Sequence, residues 1–171
     1  AVQLVADERV PEVRQVREKK KARYMENALE SIRRVVDEAK PRGIKLGIEN
    51  REALEEIPFE SDYDMFMKEL RDPTVVYWHD TGHAQIKENL GFINHKAHLE
   101  AMKDRLYGFH VHDVEFPGRD HRPPGRGTID WVALKPLVQP THLKVFELSP
   151  SLSPADAKEG VEKLKSIWGP E

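Results

Sequence analysis

The chain has 171 residues, a formal net charge of −3, 33% charged residues and 39% hydrophobic residues, which is the composition of one ordinary globular domain. Cysteine is absent, so disulfides and thiolate metal ligands are excluded and any metal site must use histidine and carboxylate. The sequence shows no run of about 18 apolar residues and no signal-peptide pattern. With its mild acidity, this predicts a cytoplasmic protein that neither spans a membrane nor carries a broad basic surface for nucleic acid.

Strand and helix patterns alternate in the first part of the chain. Residues 1–6 have the pattern of a short strand. Apolar residues at helical spacing between about 18 and 40 predict a long amphipathic helix, which Pro41-Arg42-Gly43 ends. Residues 44–50 then predict a buried strand, and Ser61, with an acid three residues later, predicts the N-cap of the next helix.

The alternation continues to the end of the chain. In order, the patterns predict a strand at 75–80, a turn at 81–83, a helix from Asn94 to about Arg105, a strand through His110 and His112, a Gly/Pro-rich loop at 118–125, a strand at 142–147, and a helix capped by Ser153. Five strands separated by helices of crossover length predict an α/β fold with a parallel sheet covered by helices.

Four consecutive strands end in a polar residue of the metal-ligand type. Since active sites of parallel α/β folds lie at the carboxyl ends of the strands, these four residues are expected to converge. Because side chains alternate along a strand, the residue two positions before each strand end points the same way. These residues form a layer of small and large side chains below the strand ends, as the interior of a barrel requires. The strand-end residues are Glu49, Asp80, His110 and Glu147, and the layer below is Gly47, Trp78, Gly108 and Val145.

Three carboxylates and one imidazole at one place favour a bound cation, because converging carboxylates repel one another unless a cation lies among them. The ligand set suits one divalent ion, Mn²⁺, Mg²⁺, Co²⁺ or Zn²⁺. Each residue taken alone is also consistent with a capping or salt-bridging side chain at a strand end.

These motifs, in this order, resemble the xylose isomerase-like (β/α)8 TIM barrels, a superfamily that includes sugar and sugar phosphate isomerases and epimerases and the apurinic endonuclease branch. The resemblance implies one domain over residues 1–171 that forms the C-terminal five βα units of a barrel, so we expect a fragment of a longer protein or a chain that self-associates as a homo-oligomer. The motifs are Gly47-Ile48-Glu49-Asn50, His79-Asp80-Thr81-Gly82-His83, Phe109-His110-Val111-His112-Asp113, Asp120-His121 before Pro123-Pro124-Gly125-Arg126-Gly127, Ile129-Asp130-Trp131, and Phe146-Glu147.

The resemblance also implies roles for individual residues. The metal ligands would be the four strand-end residues, with Glu49 and Glu147 as the acid and base on opposite faces of a sugar. His83 and Arg119 would contact the substrate. His110 matches the family's ligand position because Asp113 follows three residues later.

Two further histidines have no single predicted role. His112 is expected at the rim of the site, and both His112 and His121 are candidates for a substrate contact, a partner of the metal ligands, or a second metal site. His79 is expected between sheet and helix, whereas His95 and His98 are expected on the surface.

The function that these roles imply is a metal-dependent aldose-ketose isomerase or 3-epimerase of a sugar or sugar phosphate. Arg119, Arg122 and Arg126 could hold a phosphate, or they could be solvated loop residues. The first alternative is a phosphodiesterase of the apurinic endonuclease type. Three features argue against it: Arg119 occupies a position where that branch has Asp, the early-strand histidines of that branch are missing, and the charge balance does not indicate a basic groove. The second is a binding protein with a degenerate site.

Overall fold

The computed structural model describes residues 2–169, and in these residues an open parallel sheet is flanked by helices. None of the helices in this range is long and apolar enough to cross a membrane. The helices are α1 (Val2–Ala39), α2 (Tyr63–Glu69), α3 (Thr81–Asn89), α4 (His95–Met102), α5 (Trp131–Leu134) and α6 (Pro154–Trp168). The strands are β1 (Leu46–Glu49), β2 (Val75–Asp80), β3 (Leu106–Val111), β4 (Asp113–Glu115), β5 (Arg119–Arg122) and β6 (Leu143–Phe146).

The sheet has four strands in the order β1-β2-β3-β6, and every neighbouring pair is parallel. All four carboxyl ends therefore lie at one edge. The register pairs Asp80 with His110, whereas Glu49 pairs with Trp78 and His110 with Val145, so the polar strand ends are staggered across the sheet. The predicted parallel α/β architecture is confirmed.

The layer below the strand ends is filled by Trp78. A Cβ atom on Gly108 would lie 2.5 Å from Cζ3 of Trp78, and one on Gly47 would lie 3.1 Å from its Cβ. Both glycines therefore leave the space that the indole occupies, and the predicted alternation of small and large residues is confirmed.

The main hydrophobic core lies between the other face of the sheet and the helices. α1 contributes Met25, Leu29 and Val36 at helical spacing, and these pack with strand residues such as Val75, Tyr77 and Phe109. α1 ends in a 3-10 turn at Lys40–Arg42, where Gly43 has φ 66° and donates its N–H to the carbonyl of Lys40. The predicted stop at residues 41–43 is confirmed.

The strand predicted at residues 1–6 is wrong for residues 2–6, which belong to α1, and residue 1 lies outside the described residues. The described sheet consequently has four parallel strands instead of five. An apolar run of this length fits either period. The Ala, Leu, Gln, Glu and Arg residues around it favour a helix, which extends the long helix well before Glu18.

The start of α2 also differs from the prediction. Ser61 lies within a 3-10 turn, Glu60–Asp62, and α2 begins at Tyr63. The carboxylate of Asp62 accepts the N–H of Phe59 at 3.0 Å, which caps the 3-10 turn, and it pairs with Arg17 and Lys21 of α1. The ion pairs of Asp62 with α1 contribute to where α2 begins, and the local spacing of residues does not reveal such distant contacts.

Two predicted irregular segments are regular. Residues 81–83 form the first turn of α3, because the Asp80 carboxylate accepts the N–H of His83 at 2.7 Å and caps the helix directly. The loop after β3 contains β4 and β5, which pair as an antiparallel hairpin. The caps predicted at Asn94 and Ser153 are confirmed, although α4 ends at Met102 and not near Arg105.

Candidate metal centre and active site

The four strand-end residues meet at Nδ1 of His110. This nitrogen lies 2.5 Å from Oε1 of Glu49, 3.5 Å from Oε2 of Glu147 and 3.8 Å from Oδ2 of Asp80. Each residue comes from the carboxyl end of a different strand, so the parallel register alone brings them together. The side chains of Glu49, His110 and Glu147 are 22%, 30% and 47% exposed, and the cluster is therefore open to a small solute.

Asp80 is the buried member of the cluster, and its two carboxylate oxygens have different surroundings. Oδ1 accepts the backbone N–H of His83 at 2.7 Å, whereas Oδ2 lies 3.8 Å from Nδ1 of His110. Nε2 of His112 lies between the two oxygens, 3.0 Å from Oδ1 and 3.2 Å from Oδ2. Burial alone would raise the pKa of Asp80, but the hydrogen bond and charge of His112 and the contacts with His83 outweigh it and lower the pKa. Asp80 is held as an anion with one oxygen turned toward the other three residues.

His112 is completely buried, so its predicted place at the rim is wrong. Its Nδ1 accepts the backbone N–H of His121 at 2.9 Å, which leaves the ring hydrogen on Nε2, where it is donated to Asp80. Burial opposes protonation of the ring, yet the bond to Asp80 and its charge raise the pKa of His112. The N–H of His121 opposes a second ring hydrogen, and His112 therefore acts on Asp80 as a neutral donor.

His121 and His83 flank the cluster. The ring of His121 stacks on that of His112 with centroids 4.4 Å apart, and its Nε2 lies 3.5 Å from Oε1 of Glu147. Nδ1 of His83 lies 2.9 Å from the carbonyl oxygen of Asn50 and so donates to it, which leaves Nε2 as an acceptor. The structure therefore brings both histidines next to the four strand-end residues.

The three arginines of the predicted phosphate site pair with carboxylates away from the strand ends. Arg119 is 69% exposed and lies 3.5 Å from Glu115 across the β4–β5 hairpin. Arg122 also faces Glu115, and Arg126 pairs with Glu159 at 2.8 Å. A substrate contact by Arg119 stays a prediction that these ion pairs do not support.

A second histidine cluster lies on the opposite face of β2. The Tyr77 hydroxyl lies 2.8 Å from Nδ1 of His79 and 2.9 Å from Nε2 of His98, and Nε2 of His79 lies 2.8 Å from Nε2 of His95. His95 and His98 are 2% and 8% exposed, so their predicted surface position is wrong, while the predicted burial of His79 is confirmed. Burial lowers the pKa of His95 to about 4 and that of His98 to about 3, and both rings are neutral at pH 7.

Two buried polar residues near the cluster were not recognised in the sequence as important. Asp113 accepts the backbone N–H groups of Val114, Gly125 and Ile129 and the indole N–H of Trp131. It thereby fixes the segment after the hairpin. Asn50 bonds to both backbone groups of Asp80. Both residues belong to the motifs that carry the family resemblance, but the sequence predicted no role for their side chains.

Comparisons with known proteins place this arrangement in a family. A model of the xylose isomerase-like TIM barrel family matches residues 2–167. The chain belongs to this family. Membership confirms the resemblance found in the sequence and, with the parallel sheet described above, the prediction of a partial TIM barrel. Comparison with curated protein sequences finds no significant match.

Solved structures of similar fold include sugar epimerases of low sequence identity. D-psicose 3-epimerase from Clostridium cellulolyticum H10, solved with D-tagatose, has a TM-score of 0.65 and 19% identity over 84% of this chain. A D-psicose 3-epimerase solved in the presence of D-fructose has a TM-score of 0.67 and 20% identity over 88% of this chain. The 3-keto-D-glucoside 4-epimerase from E. coli has a TM-score of 0.64 and 17% identity over 83% of this chain.

The xylose isomerase-like chain spans little more than half of each of these proteins. The alignments cover 56%, 58% and 53% of the three structures, in the order given above. At these identities the comparison establishes the fold.

Proposed function

We propose that this chain carries the catalytic centre of a divalent-metal-dependent sugar epimerase or isomerase. The supporting observation is that ligand atoms of Glu49, Asp80 and Glu147 all lie within 3.8 Å of one ring nitrogen of His110. The sugar epimerases of the same fold named above are consistent with this class of substrate.

The donor set fits one divalent cation. Three carboxylates and one imidazole are the ligands that Mn²⁺, Mg²⁺, Co²⁺ and Zn²⁺ take, and the carboxylates would repel one another without a cation. His83 and His112 hold the Asp80 carboxylate in place, and its Oδ2 also faces His110, as expected of an oriented ligand. A bound cation would polarise the carbonyl and the neighbouring hydroxyl of a sugar and so acidify the hydrogen on the carbon next to the carbonyl.

We assign proton transfer on two sides of a substrate to the two glutamates. Glu49 ends β1 and Glu147 follows β6, which are the outer strands of the sheet, and Asp80 and His110 lie between them. One glutamate removes the proton from carbon while the C–H electrons move to the carbonyl oxygen. The other returns a proton from the opposite face, which inverts the carbon. We assign contacts with sugar hydroxyls to His83 and His121, whose rings flank the cluster.

Phosphodiester hydrolysis with several metal ions is the alternative. Additional metal ions would have to bind at two other groups of residues whose ligand atoms lie within 4.8 Å of one another. These groups are Asp80-His83-His112 and His112-His121-Glu147. Both depend on His112, whose Nδ1 accepts an N–H and whose Nε2 donates to Asp80. This ring has no free lone pair for a metal, and we therefore favour one ion and the epimerase.

The test measures proton exchange at carbon. The Mn²⁺-loaded chain, incubated with D-psicose in D₂O, is expected to incorporate deuterium next to the carbonyl. Glu49→Gln and Glu147→Gln should each lower the rate by about 10²- to 10⁴-fold, the usual contribution of an acid or base. Undiminished exchange in both variants would contradict the assignment. If the chain binds Mn²⁺ and sugar but exchanges no proton, it is a binding protein with a degenerate site.

A further inference from the structure

Asn50 extends the pairing of β1 with β2 beyond the end of the strand ladder. The backbone register of the two strands stops at Glu49 and Trp78. At the next position the Asn50 side chain takes over: its Oδ1 accepts the N–H of Asp80 at 2.7 Å, and its Nδ2 donates to the carbonyl of Asp80 at 2.9 Å. Asn50 is completely buried, so water does not compete for these bonds.

The amide has one possible orientation. Because Oδ1 accepts an N–H and Nδ2 donates to a carbonyl, rotation of the amide by 180° would place like groups against each other. The Tyr77 hydroxyl donates to Oδ1 at 3.1 Å, and the backbone carbonyl of Asn50 accepts Nδ1 of His83 at 2.9 Å. Asn50 directly follows Glu49 in the chain and is hydrogen-bonded to both Asp80 and His83.

We propose that Asn50 is a positioning residue of the metal centre, which locks the Asp80 backbone against the end of β1 so that the carboxylates of Glu49 and Asp80 converge on His110. The proposal rests on the proposed function, because it requires that these residues bind a cation. Asn50 itself contacts no described metal-ligand side chain and acts through the Asp80 backbone.

The type of residue at this position is decided by the two backbone groups that it serves. An aliphatic side chain would leave the N–H and the carbonyl of Asp80 without partners in a buried place, which is costly. A carboxylate would bring a second oxygen against the carbonyl oxygen of Asp80. Either change would shift Asp80, whose carboxylate also caps α3, and so move Oδ2 from its place 3.8 Å from His110.

The test compares two buried asparagines by calorimetric titration with Mn²⁺ and by hydrogen exchange of the Asp80 amide. Asn50→Ala is expected to lower Mn²⁺ affinity by about 10- to 100-fold, as loss of an outer partner of a metal ligand does. It should also expose the Asp80 amide to exchange in the metal-free chain. The control is Asn89→Ala, since Asn89 likewise donates Nδ2 to a backbone carbonyl, that of Pro117, but lies outside the cluster. This control should lose stability and keep its Mn²⁺ affinity.

A milder variant covers the case in which Asn50→Ala does not fold. Tyr77→Phe removes the hydroxyl that donates to Oδ1 and leaves the amide in place, so a smaller loss of Mn²⁺ affinity is expected. The proposal is overturned if folded Asn50→Ala, or in its absence Tyr77→Phe, binds Mn²⁺ as the unmodified chain does, or if Asn89→Ala loses as much affinity. If the unmodified chain itself binds no Mn²⁺, the proposed function fails and the positioning role with it.

Discussion

Two histidine clusters lie back to back across β2, and they differ in what surrounds each ring. On the inner face, His110 stands among Glu49, Asp80 and Glu147 and is partly exposed. On the outer face, His79 of β2 and His95 and His98 of α4 are buried where the helix packs on the sheet. Asp80 and His79 are neighbours in sequence, yet they serve opposite clusters because successive strand residues point to opposite faces.

The difference shows what separates a ligand histidine from a structural one. In the outer cluster every described ring contacts a neutral partner, such as Tyr77, Gln85 or another histidine. Desolvation is then the dominant influence, and it lowers the pKa of all three rings. In the inner cluster carboxylates surround the ring. The same residue type is a neutral core group in one place and a candidate cation ligand in the other.

The sharpest way to break this comparison is to remove one ring from each cluster. Loss of a residue that only supports a metal ligand lowers metal affinity by about 10- to 100-fold. His110→Ala removes a proposed ligand itself and should therefore lower Mn²⁺ affinity by more than that. Its melting temperature should change little because the ring is partly exposed. His98→Ala should do the reverse and lose about 1–3 kcal/mol, because the Tyr77 hydroxyl loses a partner in a buried place. Both variants are measured by calorimetric titration with Mn²⁺ and by thermal unfolding. Equal Mn²⁺ affinities of His110→Ala and His98→Ala would contradict the assignment of His110 as a metal ligand.

Acid should unfold the protein through the outer cluster. His95 and His98 have pKa values of about 4 and about 3 in the folded chain, against 6.5 when unfolded. Below pH 6.5 the unfolded chain therefore binds protons that the folded chain does not, and stability falls as the pH drops toward 4. The two shifts together correspond to a loss on the order of 5 kcal/mol at pH 4.

The corresponding measurement is the free energy of urea unfolding at pH 7 and pH 4.5. A His95→Gln/His98→Gln double variant should show a smaller difference between the two pH values than the unmodified chain. An unchanged difference would mean that other groups dominate the acid response.

A further prediction concerns His112, which contacts Asp80 of the inner cluster from the buried side. A Cβ on Gly82 would lie 2.0 Å from Cε1 of His112, so Gly82→Ala must displace the ring and weaken its bond to Asp80. We expect a loss of about 1–3 kcal/mol, as for other overpacked sites, together with weaker Mn²⁺ binding. The control is Gly118→Ala, whose new Cβ would come no closer than 3.8 Å to a described neighbour. Similar unfolding curves for the two variants would argue against a fixed position for His112.

Local pattern was sufficient for much of the sheet and for the strand-end residues. Residues 75–80 were predicted as a strand and form β2, since β-branched and aromatic residues alternate there without a competing helical period. The caps at Asn94 and Ser153 were also found, because a cap acts within three residues of its own position. The strand prediction for residues 2–6 was wrong because so short an apolar run fits both the strand period and the helix period. The adjoining helix extends through it.

The sequence by itself determined that Glu49, Asp80, His110 and Glu147 would stand at neighbouring strand ends, because parallel βα repeats leave one edge for all four. Only the tertiary structure decided the state of the other histidines. His95 and His98 lie on a helix whose sequence does not show which face meets β2, and His112 is covered by a hairpin that returns nine residues later to place His121 on it. Burial and partners set the charge of a histidine, and both come from segments distant in sequence.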